Sequence, residues 1–210
     1  MYKNFFKRIF DIVLSLVSLV LLFFPVLLLA AAVKIDSKGP AFFRQKRVGL
    51  YKKHFMLIKL RTMPTDTPRD IPTHEFNAHD KLSRFQKFLR KYSLDEIPQL
   101  VNIFLGDMSF VGPRPALWNQ FDLVEERDKY GANDIKPGLT GWAQINGRDE
   151  LELDIKAKLD GEYTKILEKG GFRAFAFDIK CLFITVFAVI KHSGVAEGET
   201  DKSKKEERNK

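Results

Sequence analysis

Asp95 and Glu96 stand side by side in the stretch RKYSLDEIPQL, with Ser93 just upstream and Pro98 just downstream. Adjacent carboxylates repel each other unless positive charge sits with them, so the pair implies cationic partners. One reading is structural. S-x-x-E is the capping-box pattern, in which Ser93 would cap a helix and Glu96 would answer it. With Asp95 as the N-cap instead, Pro98 falls in the first turn, where its missing N–H costs nothing. Either arrangement sets Asp95 at the positive end of a helix and predicts an ionised carboxylate. The other reading is chemical: an ionised aspartate is a nucleophile, and a phosphate target would need cations around it.

Several cations qualify. Arg90 opens the same stretch, Lys59 and Arg61 lie in KLRTM, Arg114 is held between Pro113 and Pro115, and Arg148 follows an Asn-Gly. A guanidinium can grip phosphate with two parallel hydrogen bonds, and flanking prolines fix the backbone that presents Arg114. Solvation alone explains most Lys and Arg in any chain, so each residue also has a bland reading. KPGLTGWAQINGR, 136–148, spaces Gly138, Gly141 and Gly147 around Trp142 and carries Gln144. It matches neither dinucleotide nor P-loop spacing, so the glycines either face a ligand or make plain turns. His74 and His79 are five apart in a proline-rich stretch, not the four of a helical zinc pair, and Cys181 is the one cysteine. The aromatics follow apolar faces rather than basic strands, which argues against nucleic acid.

The elements that must position these groups begin with a greasy one. Residues 12–33 carry no charge. At about 1.5 Å per helical residue they can cross a hydrocarbon core of about 30 Å. The run is longer than the apolar part of a secretory signal, about 7–15 residues. Lys3, Lys7 and Arg8 precede it, and Lys34, Lys38, Arg44, Lys46 and Arg47 follow it. The positive-inside rule then places both ends in the cytoplasm, which one straight crossing cannot do. A helix that enters, breaks at Pro25 and returns to the same face reconciles the two facts; a kinked single span is the alternative.

Beyond it, residues 35–63 alternate apolar and basic groups around Gly49, as one or two short strands with a turn. Residues 64–80 hold three prolines and read as a loop. Residues 81–104 read as two helical pieces, 116–131 as a polar helix and 151–168 as a charged one. Residues 172–191 suit a helix lying at a membrane interface. The predicted fold is mainly α with short β elements. It comprises a re-entrant membrane helix (1–34), a small cytoplasmic α/β catalytic domain with interfacial amphipathic helices (35–192), and a charged, disordered tail (193–210). The 210 residues suffice for one such domain plus an appendage, and the net charge of +8 suits an anionic surface or substrate.

Together these stretches resemble the bacterial sugar transferase family, the monotopic phosphoglycosyl transferases, in their minimal PglC-type form. The resemblance runs from about Lys7 to Gly194. It rests on KRIFD, FRQKRVG, KLRTM, SLDEIPQL with Asn102 beyond it, GDMSFVGPRP and KPGLTGWAQINGR, in that order. It implies a re-entrant helix broken at Pro25, although members often carry Ser where this chain has Phe24. It implies transfer of a sugar-1-phosphate from a UDP-sugar to polyprenyl (undecaprenyl) phosphate, with UMP leaving and Mg²⁺ required. An N-acetylated hexose is the expected sugar, ahead of galactose or glucose. The implied location is the cytoplasmic face of the bacterial inner membrane, among membrane lipid, with the product passing to downstream glycosyltransferases. Asp95 matches the nucleophile that forms a covalent aspartyl-phosphosugar intermediate. Glu96 matches its acidic neighbour, the two holding the metal. By motif position Lys59, Arg90, Arg114 and Arg148 fall to phosphate and nucleotide contacts. Gln144 falls to the nucleotide or its loop, and Asp160, near Tyr163 in KLDGEYT, to substrate contact. Two other readings stay open: a non-catalytic adaptor that binds anionic lipid through residues 34–61, and a Mg²⁺-dependent nucleotide-sugar hydrolase.

Overall fold

A computed structural model describes residues 2–65, 67, 82–147 and 151–191. Arg148, both histidines of the proline-rich loop and the charged tail lie outside these described residues.

Helix predominates. A π-helical turn, Tyr2–Phe6, leads into α1, Lys7–Asp36. The strands β1, Phe42–Val48, and β2, His54–Leu60, then pair antiparallel, from Phe42 opposite Leu60 to Val48 opposite His54. Two short helices follow: α2, Arg84–Lys91, and α3, Gln99–Leu105. Next come β3, Ser109–Val111, α4, Phe121–Asp128, and β4, Gly138–Thr140, which pairs parallel with β3. The chain ends in α5, Trp142–Ile145, α6, Leu153–Lys169, and α7, Gly171–Lys191. The main core gathers Leu57, Leu100, Ile103, Met108, Val111 and Tyr163 between these layers.

The leucines, alanines and valines of residues 12–33 make α1, and it is helical without interruption from Lys7 to Asp36, Pro25 included. The sequence predicts a break at Pro25. A proline removes one backbone hydrogen bond, and its neighbours carry the helix through.

Both ends of α1 are tied to the same body of protein. Near its start, Lys7 donates to Asp178 of α7 at 2.7 Å, and Asp11 accepts from the Ser109 hydroxyl (3.0 Å) and the Phe110 N–H (3.1 Å). Arg8 donates to the carbonyls of Ile103 and Phe104, both at 2.7 Å, and so satisfies the C-terminal end of α3. At the other end, Ala30 and Val33 pack with Leu60 and Leu89. Arg61 donates to the carbonyls of Ser37 (2.6 Å) and Lys38 (2.7 Å), and Asp36 accepts from Ser83 at 2.9 Å. Between these anchors Val20, Leu21, Phe24 and Leu28 are each about 70% exposed. So much contiguous apolar surface is costly in water and suits hydrocarbon. In α7, Ala174, Asp178 and Cys181 make one buried stripe, while Phe172, Phe183, Val186, Phe187 and Ile190 face outward. Such a face fits the interfacial helix expected there.

Candidate active site

The carboxylate pair sits where the chain reverses between α2 and α3. α2 begins with a complete capping box made by Ser83 and Gln86. Ser93 makes no such bond and adopts a left-handed backbone, φ 53°. The S-x-x-E reading of residues 93–96 therefore fails, since an N-cap residue needs extended geometry. Asp95 instead lies in a 3₁₀ turn, Leu94–Glu96, and Pro98 takes the N-cap position of α3. Left-handed backbone in a residue with a side chain is uncommon and costs of order 1–3 kcal/mol, strain that clusters at functional sites.

Asp95 is 7% exposed. Burial, and next the negative charge of Glu96, push its pKa up to about 6 against the pull of Lys59 and Arg90. Desolvation outweighs the local cations and makes the carboxylate a stronger base than a solvated one, while leaving it mostly ionised at neutral pH, as its nucleophilic reading requires. Lys59, partly buried on β2, is pushed down to about 8 by burial, although Asp95 and Glu96 oppose the shift. Arg114 donates to Glu96 at 3.2 Å. Five of the expected residues, Asp95, Glu96, Lys59, Arg90 and Arg114, thus form one electrostatic cluster. They come from β2, α2, the 3₁₀ turn and the Gly112–Pro115 loop.

Two supporting residues, Arg47 and Asn102, had no role assigned from the sequence. Arg47 donates through Nε and Nη2 to Gln45 (3.1 and 2.6 Å) and through Nη1 to the Pro115 carbonyl (2.9 Å). It braces the loop that carries Arg114, and its charge is felt at Lys59. Its signal was the two-residue spacing from Gln45, which puts both on one face of a strand. Asn102 accepts from the Ile58 N–H (3.1 Å) and donates to the Met56 carbonyl (2.9 Å). Its amide imitates a neighbouring strand and fastens β2, with Lys59, to α3.

The remaining candidates are placed elsewhere. Gln144 donates weakly to the Leu139 carbonyl at 3.5 Å and supports its own loop. A Cβ on Gly138 would lie 2.1 Å from the Gly112 nitrogen, and one on Gly141 2.1 Å from the Gly112 oxygen. Those glycines therefore allow backbone to pack on backbone. Asp160 does not join the cluster. Its carboxylate is buried on α6 with Arg127 of α4, at 2.6 and 2.8 Å, so the expected substrate contact gives way to an internal ion pair. Tyr163 is likewise internal, donating to Asp178 (2.8 Å) and bonded to the Val111 carbonyl (3.1 Å).

Among the described residues no three His, Cys, Asp or Glu side chains converge as a metal nest. Asp95 and Glu96 alone suit Mg²⁺, which takes one or two carboxylates and fills its other positions with water and substrate phosphate. They do not suit zinc.

Comparison with known proteins places nearly the whole chain. The family described as bacterial sugar transferase matches residues 2–192. EpsL of Bacillus subtilis, described as an uncharacterized sugar transferase, is 36% identical over 191 residues, which cover 91% of this chain and 90% of that protein. The UDP-glucose:undecaprenyl-phosphate glucose-1-phosphate transferase of Escherichia coli is 36% identical over 194 residues, 86% of this chain and 39% of that protein. The undecaprenyl-phosphate galactose phosphotransferase of Salmonella typhimurium is 33% identical over 210 residues, 91% of this chain and 42% of that protein. The chain thus spans nearly all of the first and less than half the length of the other two.

Proposed function

The chain belongs to the bacterial sugar transferase family, the polyprenyl-phosphate phosphoglycosyl transferases, and from that premise we propose that it moves a sugar-1-phosphate from a UDP-sugar to undecaprenyl phosphate, releasing UMP. The observation that carries this reading is the Asp95–Glu96 pair, Asp95 buried and Glu96 partly so, set among Lys59, Arg90 and Arg114.

An Asp95 carboxylate oxygen attacks the phosphorus that bears the sugar. The bond from that phosphorus to the UMP oxygen breaks, and UMP leaves with its electron pair. A phosphate oxygen of the lipid then attacks the same phosphorus and frees the Asp95 carboxylate. Lys59, Arg90 and Arg114 offset the charge that builds on the phosphoryl oxygens. Mg²⁺, held by Asp95 and Glu96 when bound, would neutralise the diphosphate and the pair itself.

The docking of both ends of α1 on one body favours re-entry over crossing, with Pro25 bending the helix without ending it, and the basic residues on both flanks favour the cytoplasmic face of the inner membrane for that body. Cysteines placed near residue 5 and near residue 200 are expected to be labelled from the same side, in sealed vesicles. Labelling from opposite sides would establish a span.

The relatives' names point to glucose and galactose, and these lead the donor panel ahead of the N-acetylated hexoses that the sequence resemblance suggested. The test is UMP release from that panel, with Mg²⁺, with and without undecaprenyl phosphate. Release with one donor, dependent on lipid, is the expected result. Lipid-independent release would make the protein a hydrolase, and no release from folded protein would leave an adaptor.

A further inference from the structure

We propose that a cavity at the N-terminal end of α1 binds a phosphate group, supplied by the headgroup of an anionic lipid. The cavity holds about 110 Å³ and is lined by Lys3, Lys7, Arg8 and Lys136, with Tyr51 among its other walls. It shares no lining residue with the Asp95 cluster. Ligand pockets for drug-sized molecules run to about 300–1,000 Å³, so this one is too small for a nucleotide sugar and suits a single phosphate.

The chemistry of the lining favours an anion. Four cations face two carboxylates, Asp11 and Asp134. Lys7 and Arg8 already have partners, in Asp178 and in the carbonyls that end α3. Asp11 is engaged by Ser109 and Phe110. Lys136 is different. It is partly buried, and its amine has no hydrogen bond or ion pair within contact among the described residues; burial and then Arg8 disfavour its charge, with Asp11 and Asp107 pulling the other way from beyond contact. A half-buried ammonium that no side chain contacts is stabilised by an anion that accepts from it. Tyr51 adds strain to the wall. It sits at φ 52° in the turn between β1 and β2, where a bulky residue is a genuine outlier.

The position favours a lipid source, and here the inference rests on the membrane reading of α1. Phe5, Phe6 and Ile9 are exposed on the same stretch that supplies Lys3, Lys7 and Arg8. Apolar side chains interleaved with cations belong where hydrocarbon meets headgroups.

The test uses the full chain in detergent, with thermal stability read during titration by dihexanoyl phosphatidylglycerol, dihexanoyl phosphatidylcholine or inorganic phosphate. Phosphatidylglycerol is expected to stabilise the wild type more than phosphatidylcholine does. Lys136→Gln should weaken its affinity about fivefold, the scale of one lysine at an anionic surface. Lys136→Arg should restore it. Lys158→Gln removes the same charge from an exposed site on α6 outside the cavity and should leave it unchanged. Equal weakening by the Lys136→Gln and Lys158→Gln variants, or by neither, overturns the site. Stabilisation by inorganic phosphate alone, lost in Lys136→Gln, overturns the lipid source in favour of a soluble phosphoryl ligand. The readout is independent of UMP release, so failure of the proposed reaction would not be mistaken for failure here.

Discussion

Asp95→Asn is expected to cut lipid-dependent UMP release by about 10⁴-fold or more, the scale seen when a covalent nucleophile is removed. It should do so without loss of stability. Asp95 is buried beside Glu96, and its pKa is raised to about 6. A carboxyl whose pKa is raised on folding contributes stability that is present below its unfolded value and lost as pH rises through the folded one. Above about pH 6 the charge at Asp95 therefore opposes folding, and a neutral amide of the same shape removes that penalty. The Tm of Asp95→Asn at pH 7.5 should equal or exceed that of the wild type. Activity runs the other way. Attack needs the ionised carboxylate, so kcat/KM of the wild type should fall as pH drops below about 6, while this group's contribution to stability grows. A variant that kept wild-type turnover would remove Asp95 from the mechanism. One that lost turnover and unfolded would point to a structural role.

The carboxylate pair and its cations were legible because their chemistry is local. Charge adjacency at residues 95–96, the prolines around Arg114 and the motif order each survive without knowing the fold. What the sequence misjudged was local pattern overridden by tertiary context. Ser93 and Glu96 have capping-box spacing, yet the chain must reverse between α2 and α3, and the left-handed backbone at Ser93 forbids the cap. The same pattern ten residues earlier, Ser83 with Gln86, does form the box. Pro25 reads as a breaker, but the leucines a turn away on each side, Leu21 and Leu22 before and Leu27 to Leu29 after, favour helix and α1 continues through it. The glycines of 136–148 could face a ligand or make plain turns, and only the approach of Gly112 shows why Gly138 and Gly141 have no side chains. Arg47 was hidden among neighbouring basic residues because its role depends on Pro115, far away in sequence.

Asp160 is the case where the two sources diverge most, and it yields the second large expected effect. Its motif position suggested substrate contact, whereas its carboxylate is 1% exposed and paired with Arg127, itself 3% exposed. Burial raises the Asp160 pKa even against the pull of Arg127, and one carboxylate oxygen has no hydrogen bond among the described residues. A pair so placed gains little over apolar packing, but removing one member strands the other charge, at a cost of about 3–5 kcal/mol. Asp160→Leu alone should therefore lower the Tm by about 10 °C for a domain of this size. Adding Arg127→Met, which removes the stranded guanidinium, should recover most of that loss. The recovered double variant then separates the two roles. If Asp160 only holds α6 against α4, its UMP release per folded molecule will stay within about twofold of wild type, since the pair shares no partner with the cluster at Asp95. If Asp160 touches the donor, stability will return without activity, and the rise in KM will identify the lost contact as one made to bound substrate.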